Sequence, residues 1–283
     1  MKLLLTTLSI TFLFIGCRKS DIHFIRGKFV KCDVAEQSPN IVGYLVGKGF
    51  KKTYYNEGLV ESVTTTMNSA FVAYDSIIYN FTYSHNRANV IANRWFFTIT
   101  GDGEGGYIII LDPDRPPVQY NFTVEFDAKS FNAIQAGTTT FKYDKQGRLT
   151  GYDDFAILYD TKGNIIQIDR EVGGRIEFKY DYTRTAKQQL YYTTGFMTNE
   201  MYNLMEIMGW IPVEPNNLRI SHTLFPEPDF NFGTFYFFDH TIDKDGKLTS
   251  FRESFSEEGP DPYPAIVNTW NCQPIKKSLN TTK

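Results

Sequence analysis

Residues 141–165 read FKYDKQGRLTGYDDFAILYDTKGNI, and this stretch contains one short unit twice. Each copy has alternating apolar residues, then Asp, then Gly three positions later: Asp144 with Gly147, and Asp160 with Gly163. An Asp side chain bonds the backbone just after it, and Gly accepts the left-handed conformation that closes a tight turn. The repeat therefore predicts β-hairpins with one apolar face and one wet face.

The same pattern of turn residues recurs along the chain. A third copy carries Asp243 and Gly246, and turn signals recur about every 8 to 11 residues between positions 145 and 183. The stretch between Val118 and Ile211 contains no Pro, so nothing in it interrupts a hydrogen-bonded ladder. We expect a mainly β protein, in which an antiparallel up-and-down meander forms a curved half-barrel or barrel.

One segment follows helix rules instead. Glu200 suits the positive end of a helix, and Gly209 suits its end. Apolar residues recur at helical spacing, namely Met201, Leu204, Met205 and Met208. We predict one short helix near 199–209. Its apolar face either packs on the sheet or plugs a barrel end, or forms an adaptable Met surface for a ligand.

The first residues have the pattern of an export signal. A charged Lys2 precedes an apolar run over 3–15, which is shorter than the ~20 residues of a membrane-spanning helix. The segment Phe14-Ile15-Gly16-Cys17 resembles the bacterial lipobox, with Phe14 at the position usually held by Leu. The resemblance implies cleavage before Cys17 and acylation of its sulfur, which would anchor the chain without spanning the membrane.

These signals predict the organisation and location of the chain. We expect a signal peptide over 1–16, a lipid-anchored tether and first strand over 17–40, a single β domain over 41–270 and a tail over 271–283. Arg18 stands where an Asp would resemble an inner-membrane retention signal. An outer-membrane anchor in the cell envelope is therefore favoured, and both the periplasmic and the surface-facing orientation stay open.

The hairpin unit Tyr143-Asp144 to Leu149 resembles the Tyr-Asp repeat of large bacterial shell-forming proteins. Over about 139–255, the chain is more similar to a family of short Bacteroidota lipoproteins of unknown function with a porin-like β fold. The shared features are the tandem hairpins, one helix, a Pro/Asn loop near 212–218 and a final strand pair. This resemblance implies a lipid-anchored β-barrel or half-barrel and does not imply a pore.

Composition excludes several partners. With 29 basic and 32 acidic residues, the net charge is −3, so no nucleic-acid partner is expected. No metal-ligand spacing or glycine-rich phosphate motif is present in the sequence, and no cofactor is expected. Of the three cysteines, Cys32 and Cys272 are left after acylation. They either form a disulfide that ties the two ends of the domain together or remain free thiols.

Three hypotheses for function follow. The first is a non-enzymatic envelope lipoprotein that binds an envelope protein, glycan or lipid, or has a structural role. The second is a carrier of an apolar ligand inside a barrel, which needs an apolar cavity. The third is a hydrolase using His222 with His240, or the carboxylate pairs Asp153–Asp154 and Glu257–Glu258.

Overall fold

The computed structural model describes residues 33–38, 41–42, 45–46, 49–55, 59–69, 73–101, 107–171, 173–186, 200–213, 215–225, 233–260 and 265–272. Cys17, Cys32, the predicted signal peptide and most of the predicted tether lie outside these ranges. The first strands are β1 (Asp33–Gln37), β2 (Ile41–Val42), β3 (Leu45–Val46), β4 (Gly49–Tyr54), β5 (Val60–Ser69), β6 (Ala73–Ser84), β7 (Arg87–Gly101), β8 (Tyr107–Leu111), β9 (Val118–Phe126) and β10 (Ala133–Ala136). They are followed by β11 (Thr139–Tyr143), β12 (Leu149–Tyr152), β13 (Phe155–Tyr159), β14 (Ile165–Arg170), β15 (Arg175–Asp181), helix α1 (Glu200–Met208), β16 (Leu218–Phe225), β17 (Gly233–Ile242), β18 (Leu248–Ser254) and β19 (Ile266–Asn271).

Within the described ranges, the strands close into a 16-strand antiparallel barrel with one short helix, which confirms the predicted fold class. Each strand from β9 to β19 pairs with the next strand along the chain, and so does each strand from β4 to β7. The ring is completed by β7 pairing with β9, and by β1 lying between β19 and β4. The helix falls at Glu200–Met208, inside the predicted 199–209.

The chain ends meet at one seam of the barrel. Glu36 of β1 lies opposite Lys51 of β4 and opposite Thr269 of β19. At the same seam the buried Gln37 side chain donates to Asn268 Oδ1 at 3.0 Å. The described strands of the barrel therefore run from Asp33 to Asn271, and β1 is part of the wall.

Along the wall, buried apolar side chains alternate with more exposed and mainly polar ones, as β15 shows. On β15, the buried side chains are Ile176, Phe178 and Tyr180, and they face the interior. Glu177 and Lys179 lie between them and face outward. The inward side chains of neighbouring strands belong to one continuous apolar core. A membrane-embedded barrel has the reverse arrangement, with an apolar band on its outer surface.

The Asp-Gly turns lie at one end of the barrel, which we call the turn end. Asp160 Oδ1 accepts the N–H groups of Lys162 at 2.9 Å and Asn164 at 2.8 Å, and Gly163 has a φ of 84°. The turns of Asp144–Gly147 and Asp243–Gly246 have the same two bonds and the same positive φ at Gly. Each turn thereby fixes the register of the two strands that it joins.

One of these turns is also joined to a distant loop. Asn164 is fully buried, and its Oδ1 accepts the N–H groups of Asn216 and Asn217, both at 2.9 Å. Its Nδ2 donates to Asp160 at 2.8 Å and to Asn217 Oδ1 at 3.1 Å. A single amide thus holds the 160–163 turn against the segment that leads into β16.

We expect Asn164→Ala to lower the free energy of unfolding by about 2 kcal/mol, because two backbone donors lose their acceptor inside the protein. Urea unfolding followed by circular dichroism measures this change. Arg148→Ala is the matched control, since Arg148 holds the same position in the 144–147 turn but is half exposed. We expect the control to change stability by less than about 0.5 kcal/mol. Equal losses in the two variants would contradict a cross-linking role for Asn164.

The long strand β7 forms hydrogen-bonded ladders with two different strands along the same edge. Its first part, Arg87–Arg94, pairs with β9, and its last part, Phe97–Gly101, pairs with β8. β8 is therefore not a member of the closed ring. It extends the wall at the end opposite the turns, which we call the far end.

Candidate functional site in the barrel interior

Helix α1 lies inside the barrel. Its first residue, Glu200, accepts a hydrogen bond from Tyr79 on β6, at 2.8 Å. Tyr202 stacks on Tyr152 of β12, with ring centroids 4.6 Å apart. Trp210, just after the helix, packs edge-on against rings of β6 and β9. Because these partners come from well-separated strands of the wall, the helix occupies the interior rather than the outside of the sheet.

The end of the helix is set by local sequence. Gly209 has a φ of 67°, and its N–H donates to the Glu206 carbonyl at 3.0 Å. The N–H of Trp210 donates to the Met205 carbonyl at 2.9 Å. These two bonds form a Schellman motif, which requires a left-handed residue at this position. The chain leaves the helix with Trp210 already directed into the core.

A group of polar side chains lies at the start of the helix, and we call it the mouth cluster. Its members are Asp75, Tyr79, Arg94, Tyr120 and Glu200. Arg94 Nε donates to Asp75 Oδ2 at 3.0 Å, and Arg94 Nη1 lies 3.8 Å from Glu200 Oε2. Tyr120 donates its hydroxyl to the same Glu200 carboxylate.

The mouth cluster fixes the helix to the wall and keeps charge near the far end. Burial, and then the hydrogen bond to Glu200, raise the pKa of Tyr120 above its ordinary value. Tyr120 therefore stays protonated and remains a donor at physiological pH. Asp75 is only 4% exposed, whereas Arg94 and Glu200 keep 32% and 26% of their side-chain surface. The cluster is thus reachable from solvent on its Arg94 and Glu200 side.

A second polar group, which we call the inner cluster, lies further along the helix. It consists of Glu206 with Arg219 on β16 and the hydroxyls of Tyr152, Tyr180 and Tyr202, with which the Glu206 carboxylate interacts electrostatically. Burial raises the pKa of Glu206 to about 7, against the opposing effect of the Arg219 guanidinium. The arrangement can take up a proton close to neutral pH.

This titration predicts a pH-dependent stability. In the unfolded chain Glu206 has its ordinary pKa near 4.5, so folding raises its pKa. The native state therefore holds a proton that the unfolded state has lost between about pH 4.5 and 7, and stability falls as pH rises through that window. Glu206→Gln resembles the protonated form. We expect the variant to match the wild type near pH 4.5 and to melt at a higher temperature at pH 8.

Thermal melts at both pH values test this prediction. Glu177→Gln is the control, since Glu177 lies on the outer wall beside Arg175, at 2.7 Å. The control should show the wild-type dependence of melting temperature on pH. An equal gain for Glu206→Gln at both pH values would contradict the titration.

The two histidines of the predicted hydrolase site have separate surroundings. His222 is fully buried, and its ring stacks on Phe235 with centroids 4.7 Å apart. His240 lies five positions beyond Phe235 on β17, roughly 15 Å along the strand, and stacks on Phe251. Burial, and then the nearby Arg184, lower the pKa of His240 to about 4. The structure does not bring the two rings together.

The carboxylate pairs have structural partners. Asp153 Oδ1 accepts the Thr140 N–H at 3.0 Å, and Asp154 forms an ion pair with Arg170 at 2.9 Å. Glu257 and Glu258 are exposed in a turn. In the ranges that the structure describes, no group of three or more His, Cys, Asp or Glu side chains is placed to hold a metal ion. Among the described residues, no helix is both long and apolar enough to cross a membrane.

The cysteines are described only in part. Cys272 follows β19 and forms a disulfide, and its Sγ lies 3.1 Å from Lys247 Nζ. Cys17, the predicted acylation site, and Cys32, the predicted disulfide partner, lie outside the described residues.

Sequence reasoning missed both polar clusters. The sequence pattern around Arg94 could have predicted its inward position, because Arg94 continues the alternation of the inward residues Ala88, Val90 and Ala92 on β7. A charge at an inward position of a strand indicates an interior site. Glu206 had no such signal, since a charged residue on the polar side of an amphipathic helix is ordinarily solvated.

The chain was compared with protein families, curated proteins and solved structures. No protein-family model matches the chain, and no curated protein matches it. Among solved structures, one similar chain is a porin-like protein from Bacteroides uniformis. It is 12% identical, with a TM-score of 0.29, over 84% of this chain and 96% of that chain. A similarity this weak carries no argument about function.

Proposed function

We propose that this protein is a non-enzymatic binding or structural module of the cell envelope, held at a membrane by acyl chains on Cys17. The observation that supports it most is the polarity of the wall. A mainly apolar, helix-filled interior and a mainly polar outer face suit a barrel surrounded by water, so attachment to a membrane would depend on the anchor. The anchor itself is inferred from the lipobox-like sequence.

The position of β1 indicates which end of the barrel an anchored protein would direct away from the membrane. β1 begins at the turn end, where Asp33 lies opposite Asn271. An anchor on Cys17 would therefore attach the turn end to the membrane through residues 18–32. The far end, with the mouth cluster and β8, would be directed away from the membrane. This arrangement favours the far end as the binding surface.

The other two functions have weaker support from the described interior. A carrier needs room for an apolar ligand, whereas α1, Trp210 and the inward aromatic side chains pack against one another in a single core. A hydrolase needs convergent ionisable groups, whereas His222 and His240 have different neighbours.

Metabolic labelling with an alkyne palmitate in the native host tests the proposal. We expect the wild type to be labelled and recovered with membranes. A form in which a cleavable secretory signal replaces residues 1–17 should be unlabelled, released from membranes by washing, and monodisperse in buffer without detergent. If this form stays in the membrane until detergent is added, the water-facing barrel is overturned. An unlabelled wild type would overturn the anchor.

A further inference from the structure

β8 extends the wall beyond the closed ring and has an open edge. It pairs with β7 from Leu111, opposite Phe97, to Tyr107, opposite Gly101, and no strand in the part of the chain that the structure describes forms a ladder with its other edge. The adjoining β10 reaches only Val124–Phe126 of β9, so it does not extend alongside β8. The edge lies at the far end, which the proposed anchor would direct away from the membrane.

The backbone polarity of this edge follows from one hydrogen bond. The Asp112 N–H donates to the Phe96 carbonyl at 2.8 Å, so residue 112 faces β7. Antiparallel pairing alternates along a strand, and residues 110 and 108 therefore also face β7. The N–H and C=O groups of Tyr107, Ile109 and Leu111 point to the open edge. Three backbone N–H donors and three backbone C=O acceptors are thus available to pair with another extended strand.

The sequence of β8 does nothing to discourage pairing. Tyr107–Leu111 reads YIIIL, with no charge, no Pro and no Gly. Ile110 and Leu111 keep 43% and 50% of their surface exposed. Native proteins protect edge strands with Lys, Pro, bulges or covering loops, and Tyr107–Leu111 itself contains neither Lys nor Pro. Such a strand on a displayed surface indicates an interaction site.

We propose that β8 is a self-association strand, which pairs antiparallel with β8 of a second copy of this chain about a two-fold axis at Ile109. The proposal rests on the water-facing barrel described above. In this register Ile109 faces Ile109 of the other copy, and Tyr107 faces Leu111. Within 107–111 every facing pair is uncharged, so no like charges oppose this pairing.

The symmetric pairing uses each open group once. The pairs 109–109, 107–111 and 111–107 would form about six backbone hydrogen bonds. A two-fold contact buries the same edge in both copies, and the assembly therefore closes as a dimer instead of growing into a fibre. Since a five-residue strand pair is a small interface, we expect a reversible dimer with a dissociation constant on the order of micromolar.

Cysteine cross-linking in the native host tests the register. In the full chain, Ile109→Cys places two thiols opposite each other across the axis. We expect a cross-linked dimer of this chain on a nonreducing gel after mild oxidation. Leu158→Cys is the control, because Leu158 is exposed on β13 of the outer wall, away from β8. Cross-links to a different envelope protein, or equal cross-linking in the control, would overturn self-association.

A proline variant separates dimer loss from misfolding. The Ile109 N–H is not used by β7, and Pro is tolerated on an edge strand where its nitrogen faces outward. We expect Ile109→Pro, in the form that lacks residues 1–17, to keep its melting temperature and to weaken the dimer about tenfold or more by sedimentation equilibrium. A monomeric parent at all concentrations, or a dimer unchanged by Pro, would overturn the proposal. Failure of the water-facing barrel would instead appear as a need for detergent.

Discussion

Reduction of the disulfide at Cys272 should lower the free energy of unfolding by up to about 5 kcal/mol, the largest single loss that we expect. We predict Cys32 as the partner. Asp33 lies opposite Asn271, and if the same antiparallel register continued by one position, residue 32 would lie across from Cys272. The bond would close nearly the whole chain, and long loops lose the most entropy when they are cross-linked.

Thermal melts with and without reductant measure this effect. Cys272→Ser should melt low in both conditions and show no response to reductant. Cys17→Ser, the control, should respond like the wild type. Peptide mass spectrometry without reduction should show residues 32 and 272 in one linked peptide. Two free thiols at these positions would contradict the predicted pair.

Trp210→Ala should cost about 3–5 kcal/mol, because a large buried aromatic side chain would leave a cavity in the interior. The indole is 3% exposed and packs edge-on against Phe126, with centroids 4.9 Å apart, and against Phe81 at 5.6 Å. The main chain of residue 210 also connects the end of α1 to the wall, since the Ala133 N–H donates to its carbonyl at 2.8 Å, and the variant keeps this bond. We therefore expect the helix to stay in the barrel and the aromatic packing around position 210 to loosen.

Urea unfolding and near-ultraviolet circular dichroism measure the two parts of this prediction. Trp95→Ala is the matched control, because Trp95 is only partly buried on β7. The control should lose much less stability and keep its near-ultraviolet spectrum apart from one indole. A small loss in Trp210→Ala would mean that α1 is held mainly by the mouth cluster.

The local parts of the fold were readable in the sequence. Hydrophobic alternation and the Asp-Gly units predicted the hairpins from β11 to β15, because each hairpin is set by residues close together along the chain. The helix was predicted within one residue at each end, since its polar start and Gly209 are also local signals. The predicted barrel is confirmed as a closed one.

Contacts between strands that are far apart in the sequence could not be predicted from the sequence. Nothing in residues 33–37 shows that β1 pairs with strands at both ends of the domain, and the tether was predicted to contain this strand. Nothing local shows that β7 passes from β8 to β9 as its partner. The polar clusters depend on the same long-range contacts, because Glu200 lies 121 positions from Tyr79 and 80 positions from Tyr120 along the chain.

The seam between β1 and β19 has a consequence for how the protein can be rebuilt. Since residues 33 and 271 are neighbours, a short linker could join the two ends of the barrel domain without crossing the barrel. New ends opened at an exposed Asp-Gly turn, such as 144–147, would leave every strand of the ring in place. The barrel is thus a candidate for circular permutation, in which the order of synthesis changes while the wall stays the same. In the natural order, β1 emerges first and must wait for β19, the last strand, before the ring can close.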